Sequence, residues 1–132
     1  VYKRQEHGLT PLAEREALRE VARGHSRDMI DRGFFAHRSP EGLKPAQRVG
    51  AAGLRYRLVA ENIQRNRGWD DPVKVAVDSW MTSRGHRKAI LTPEFRETGV
   101  GVATEDDGTI YFTQLFLLAA PPEEPPEEPP AP

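Results

Sequence analysis

Apolar positions recur with a helical period over most of this chain and switch to strand alternation near its end. Residues 70–91, DDPVKVAVDSWMTSRGHRKAIL, hold a helix start, an apolar stripe, a stop signal and a histidine just beyond it. Asp70 or Asp71 can cap the first orphan amides, and Pro72 suits the first helical position because its missing N–H needs no partner there. Val73, Ala76, Val77 and Trp80 then form one buried face, with Ser83 a turn further on the same side. Gly85 is read as the left-handed residue that ends this helix and places His86 at its terminus.

Upstream, residues 1–6 read as the end of a helix stopped by Gly8. Thr10 and Pro11 are a cap and first-turn proline for a second helix, whose stripe is Leu18, Val21, Ala22, His25 and Met29 and whose stop is Gly33. The loop FFAHRSP closes at the turn residues Glu41 and Gly42, and residues 45–52 form a short helix. Residues 54–59 alternate as an edge strand; after Ile63 a polar loop runs to Gly68. At the end, Val100 and Val102 precede the turn Asp106, Asp107 and Gly108 and a strand over 109–118. There Ile110, Phe112, Gln114, Phe116 and Leu118 face one way, and Tyr111, Thr113, Leu115 and Leu117 the other. Both faces are largely apolar, which predicts a central strand covered by helices on both sides. The order implies an α+β fold, a three-layer α–β–α sandwich around a small antiparallel sheet.

The 132 residues suffice for one domain, and 37% apolar content with two Trp, five Phe and three Tyr fits a folded one. No apolar run reaches the roughly eighteen residues of a membrane span. Val1 in place of Met suits a processed or trimmed product whose targeting segment is out of view. The absence of cysteine excludes disulfides, thiol catalysis and Cys-based zinc sites without fixing a compartment. The last twelve residues, PPEEPPEEPPAP, hold four Glu, so residues 1–120 carry +3 although the chain carries −1. That segment cannot pack a core; it favours an extended polyproline rod of about 35 Å. The reading is therefore a domain over 1–120 followed by a Pro/Glu-rich tail or linker over 121–132, a spacer or a tail with no role.

His37, Glu61, Ser83, His86 and Tyr111 are the polar side chains least explained by surface solvation. Two imidazoles and a carboxylate (His37, His86 and Glu61) suffice for an open Zn²⁺ site, can work as general acid and base, or are ordinary hydrogen-bonded groups. No HExxH, GxSxG or phosphate-cradling loop is present. His25, on an apolar stripe, reads as a packing histidine. Arg55, Arg57, Arg65, Arg67, Arg84, Arg87 and Lys88 read as a solvated basic face, because no stacking aromatics are interleaved with them, and nucleic acid is not an expected partner.

Taken in order, GLTPL at 8–12, HSRDM at 25–29, GFFAH at 33–37 with SPEG at 39–42, AENI at 60–63, WMTSRGHR at 80–87, GVGV at 99–102 and YFTQ at 111–114 resemble the CAP superfamily. That family comprises cysteine-rich secretory proteins, antigen 5 and plant pathogenesis-related proteins, and the likeness is to its bacterial, cysteine-free, SCP-like branch. The resemblance implies an α–β–α sandwich and an extracellular or cell-surface setting. In eukaryotic members a tetrad of two histidines and two acids can bind a divalent metal. His37 matches the first histidine and Glu61 the first acid, whereas Ser83 stands at the second acid and Tyr111 at the second histidine. His86 is the candidate substitute ligand; no cofactor is required on this reading, and Zn²⁺ or another divalent metal is the one to test. The expected function is a secreted or surface-tethered, monomeric binding module without turnover. Its polar cavity, formed by the Phe34–Phe35 loop with His37 and Glu61, would suit a lipid, a sterol or an anionic cell-wall polymer. The alternatives are a hydrolase, metal-dependent or built on Ser83 and a histidine, and a purely structural domain.

Overall fold

The strand Ile110–Ala119 (β4) organises the fold because its two faces are both apolar and need cover from opposite sides. In the computed structural model, which describes residues 2–121, β4 lies between Glu97–Thr104 (β3) and Tyr56–Asn66 (β2), antiparallel to both. A two-residue strand, Ala13–Glu14 (β1), pairs in parallel with β3, so the sheet runs β1-β3-β4-β2 and is not purely antiparallel. The helices are Tyr2–Glu6 (α1), Glu16–Arg32 (α2), Pro45–Ala51 (α3), Pro72–Thr82 (α4) and Arg84–Leu91 (α5).

On one sheet face Leu115 and Leu117 pack with Leu18 and Ala22 of α2 and Val49 of α3, and Tyr111 packs with Met29 and Ile63. On the other, Phe112 and Phe116 pack with Ala76 and Trp80 of α4, Ala89 and Ile90 of α5, and Phe95. The fold is thus the expected α–β–α sandwich. Gly99 and Gly101 let α2 lie directly on β3: a Cβ on Gly101 would fall 1.9 Å from the backbone nitrogen of Arg23. Arg4 is buried and ties α1 to the end of α5 by donating to the carbonyls of Thr10, Ile90 and Thr92 at 2.8–2.9 Å.

Three local expectations change. Thr10 and Pro11 do not begin α2, because the backbone around Ala13 and Arg15 donates to Arg96 and Thr98 and becomes β1 instead. The stretch after Ile63 is strand rather than loop, since its backbone continues the β4 ladder as far as the pair Asn66–Ile110. The helix expected to run from Pro72 to a stop at Gly85 ends earlier, at Thr82, and a second helix begins at Arg84. Ser83 is extended (φ −98°, ψ 124°) and occupies the N-cap position of α5, so Gly85 sits inside a helix and does not end one. The Pro/Glu-rich rod expected over 121–132 falls, from residue 122 on, outside the described residues. Among those described, no helix is long and apolar enough to cross a membrane.

Candidate functional site

Glu61 is placed by β2, opposite Leu115, which turns it toward α2 and α3 on the sheet's edge strand. Its side chain is 1% exposed. His37 comes from the loop after α2, which is held down at several points. Gly33 ends α2 in the left-handed region at φ 67°. Arg32 bridges Asp28 and Glu41, and this contact pulls the Glu41 carboxyl down to a pKa of about 2. Ser39 closes the turn by accepting from Leu43 through Oγ at 3.0 Å.

His25 fixes the middle of that loop. Its Nε2 lies 2.8 Å from the carbonyl oxygen of Ala36, which can only accept, so Nε2 carries the proton. Nδ1 is then a buried lone pair without a protein partner. Protonating it would strand an N–H in the interior, and burial accordingly pushes the His25 pKa below its usual value, with neighbouring Arg48 acting the same way and Glu61 opposing.

With the loop fixed, the His37 Nδ1 donates to Glu61 Oε1 at 2.9 Å. A third partner was not foreseen from the sequence. The Arg48 guanidinium of α3 lies with Nη2 2.8 Å from Oε2 and 3.0 Å from Oε1 of Glu61, and it also donates to the His37 carbonyl at 2.8 Å. Only its position one residue before the apolar Val49 hinted that it faces inward.

Ser83 and His86 form a second pair at the start of α5, with Oγ and Nδ1 2.9 Å apart. Asn62, buried on β2, donates to the His86 carbonyl at 3.0 Å and so ties α5 to the strand that carries Glu61. Burial lowers the His86 pKa, and the nearby His37 lowers it further. Tyr111 stands apart from both pairs: its hydroxyl accepts from Arg65 at 3.4 Å. The Arg65 guanidinium lies 4.7 Å over the Phe35 ring, which meets Tyr111 edge-on at 6.3 Å. The expectation of an unstacked basic face therefore fails for Arg65, because folding brings aromatics that are distant in sequence beneath it. Phe34 and Phe35 are likewise packing partners, Phe34 of His25 at 5.7 Å.

The five predicted residues thus fall into His37–Glu61, Ser83–His86 and Tyr111–Arg65. Among the described residues no three His, Asp or Glu side chains gather so as to hold a metal. Glu61 accepts from the imidazole and the guanidinium through Oε1, while Oε2 has no hydrogen-bond partner and keeps only its 2.8 Å ion-pair contact with Arg48. His37, Glu61 and His86 do not come together as such a group among the described residues.

An apolar pocket lies elsewhere, between α4 and the outer face of β3. It measures about 220 Å³ and is lined by Val73, Val77, Trp80, Val100, Val102 and Phe112, with Lys3, Glu14 and Gln114 among its polar lining residues. Val73, Val100 and Val102 are exposed there. Val73 lies 27 positions before Val100 and 29 before Val102, so periodicity gave no sign of the pocket.

Comparison with known proteins bears on the whole of this arrangement. Residues 2–116 match the model of the cysteine-rich secretory protein family, CAP. The chain is 41% identical over 115 residues to the protein YkwD of Bacillus subtilis (strain 168), covering 87% of this chain and 42% of that protein. An extracellular protein containing a SCP domain from Bacillus anthracis str. Ames superposes with a TM-score of 0.73 at 33% identity, over 87% of this chain and 36% of that one. An outer surface protein from Borrelia burgdorferi shares the fold alone, with a TM-score of 0.81 at 19% identity over 90% of this chain and 86% of its own. The chain spans less than half the length of both Bacillus proteins. By its family match and its order of elements, this chain belongs to the CAP (cysteine-rich secretory protein) family, in its cysteine-free bacterial SCP-domain branch.

Proposed function

We propose that this domain is an extracellular binding module without turnover, and that it takes an apolar ligand segment, such as part of a lipid chain, in the pocket between α4 and β3. The observation that carries this reading is the convergence of three exposed valines, Val73, Val100 and Val102, from a helix and a strand onto one pocket floored by Trp80 and Phe112. Exposed aliphatic side chains gathered around a concavity mark binding surfaces in soluble proteins. At about 220 Å³ the pocket suits a short apolar segment and not an entire lipid. Lys3, Glu14 and Gln114 supply polar contacts that can orient a headgroup. The extracellular setting is supported by the SCP-domain protein of Bacillus anthracis, described as extracellular. This reading moves the ligand away from the His37–Glu61 cleft favoured by the sequence. Native mass spectrometry against a lipid extract tests it: the wild-type domain retains an apolar ligand and Val100→Phe, which crowds the pocket from an exposed lining position, does not. Equal retention by both proteins would refute it.

A second reading rests on the 2.9 Å contact between Ser83 Oγ and His86 Nδ1, the nucleophile–base pair of a serine hydrolase. The lowered His86 pKa keeps that ring neutral and able to accept a proton near pH 7. Among the described residues no carboxylate bonds to the His86 ring to orient it, and Ser83 occupies the N-cap position of α5 without a side-chain cap bond. Turnover of acyl esters that is abolished in Ser83→Ala would establish it; the binding reading predicts no such turnover.

A further inference from the structure

We propose that Arg48 is a built-in cation for the His37–Glu61 cleft, supplying the positive charge that a divalent metal supplies in a histidine–carboxylate site, so that the cleft takes no such metal. The argument starts from Glu61. A carboxylate with 1% exposure needs a partner of opposite charge in place of water. Arg48 provides it: Nη2 lies 2.8 Å from one carboxylate oxygen and 3.0 Å from the other. The same nitrogen donates to the His37 carbonyl at 2.8 Å, which joins the cation to the backbone of the loop that presents His37.

The guanidinium has little freedom to withdraw. Pro45 occupies the first turn of α3, the Lys44 amide donates to the Gln47 side chain at 2.8 Å, and fully buried Val49 fixes the rotation of the helix. Arg48 is only 11% exposed, and its Nε and Nη1 are buried without protein partners. A side chain that leaves two donors unsatisfied is held in place chiefly by its ion pair.

Charge and donor chemistry lead to the same result. One carboxylate and one guanidinium are neutral together, so an added divalent ion would bring an uncompensated double charge beside Arg48. The other two predicted site residues, Ser83 and Tyr111, offer only hydroxyls. Neutral hydroxyls are poor ligands, and the Tyr111 oxygen already accepts from Arg65.

The test combines zinc titration with thermal unfolding of the wild-type chain and the variants R48M, R48K, E61Q and R48M/E61Q. The wild type is expected to show no saturable zinc binding that disappears in E61Q; binding retained in E61Q lies outside the cleft and agrees with the proposal. R48M is expected to lower Tm, and the added E61Q to restore a substantial part of the loss, because it removes the charge that Arg48 neutralises. If R48M does not fold, R48K keeps the charge and is expected to fold without gaining zinc affinity. Micromolar zinc binding by the wild type that is lost in E61Q overturns the proposal. So does an R48M defect that E61Q leaves unrelieved, or an R48K that acquires the site.

Discussion

Gly101→Ala is the most severe single-methyl test of how α2 sits on the sheet. The added Cβ would lie 1.9 Å from the Arg23 nitrogen, 2.3 Å from the Ala22 carbonyl carbon and 2.4 Å from the Arg23 Cα. Ordinary contact begins near 3.4 Å, so the helix must lift by roughly 1.5 Å or the strand must bend away. The obstacle is backbone on both sides, so no side-chain rotation relieves it. Overpacking of this kind costs about 1–3 kcal/mol. Lifting α2 also stretches the bond from Ser26 Oγ to the Gly101 carbonyl (2.9 Å) and its 2.7 Å contact with Thr113. Each buried hydrogen bond adds about 1 kcal/mol. The expected loss is therefore about 3–5 kcal/mol, a large share of the roughly 5–15 kcal/mol that holds a domain together. Urea denaturation measures it. Gly24→Ala is the internal control on the same helix: its Cβ meets nothing within 4 Å, so it should gain about 0.5–1 kcal/mol of stability from helix propensity. A Gly101→Ala loss below ~1 kcal/mol, or equal effects at the two positions, would refute direct packing of α2 on β3.

The buried, proton-poor His25 makes stability depend on pH. Its folded pKa is depressed, so the unfolded chain binds the extra proton first, and stability present above about pH 6.5 is lost as the pH falls, by at most ~1.4 kcal/mol per unit for one proton. Denaturation midpoints from pH 7.5 to 5 should drop in the wild type and drop less steeply in His25→Gln, the remaining slope including that of His86, whose pKa is also lowered; parallel curves would contradict the assignment of Nδ1 as a bare lone pair. Asn62→Leu leaves the His86 carbonyl without its donor and should cost about 1–3 kcal/mol, with exchange of α5 amides accelerated. The side chain of Asp71 accepts from the Lys74 amide at 3.1 Å at the start of α4, so Asp71→Ala should lose about 1 kcal/mol by thermal unfolding without changing ligand retention.

What the sequence disclosed followed from how far each signal reaches. The two apolar faces of β4 are written in consecutive residues, and its central place between two helical layers followed directly. The stripe Leu18, Val21, Ala22, His25 and Met29 was equally local, and all but the partly buried Val21 are buried. Where a tertiary partner decides, local reading failed. Residues 64–66 look like a polar loop, yet the ladder to β4 makes them strand. The stop read at Gly85 falls instead at Ser83, and Gly85 lies within the next helix. In the site, ordered motifs picked out both His37 and Glu61, which meet at 2.9 Å. Arg48, in a seven-residue helix, resembles any solvated cation until folding sets it on a carboxylate thirteen positions away. The apolar pocket has no sequence signature because α4 and β3 each contribute only part of its wall.

Fluorescence titration of the Trp69→Phe domain with a medium-chain fatty acid tests the central claim most directly, because Trp69 is exposed and its removal leaves Trp80, in the pocket wall, as the reporter. Binding in the pocket predicts a saturable, one-to-one change in Trp80 emission that vanishes when Val100→Phe crowds the space. No saturable change, or the same change in the crowded protein, would contradict it.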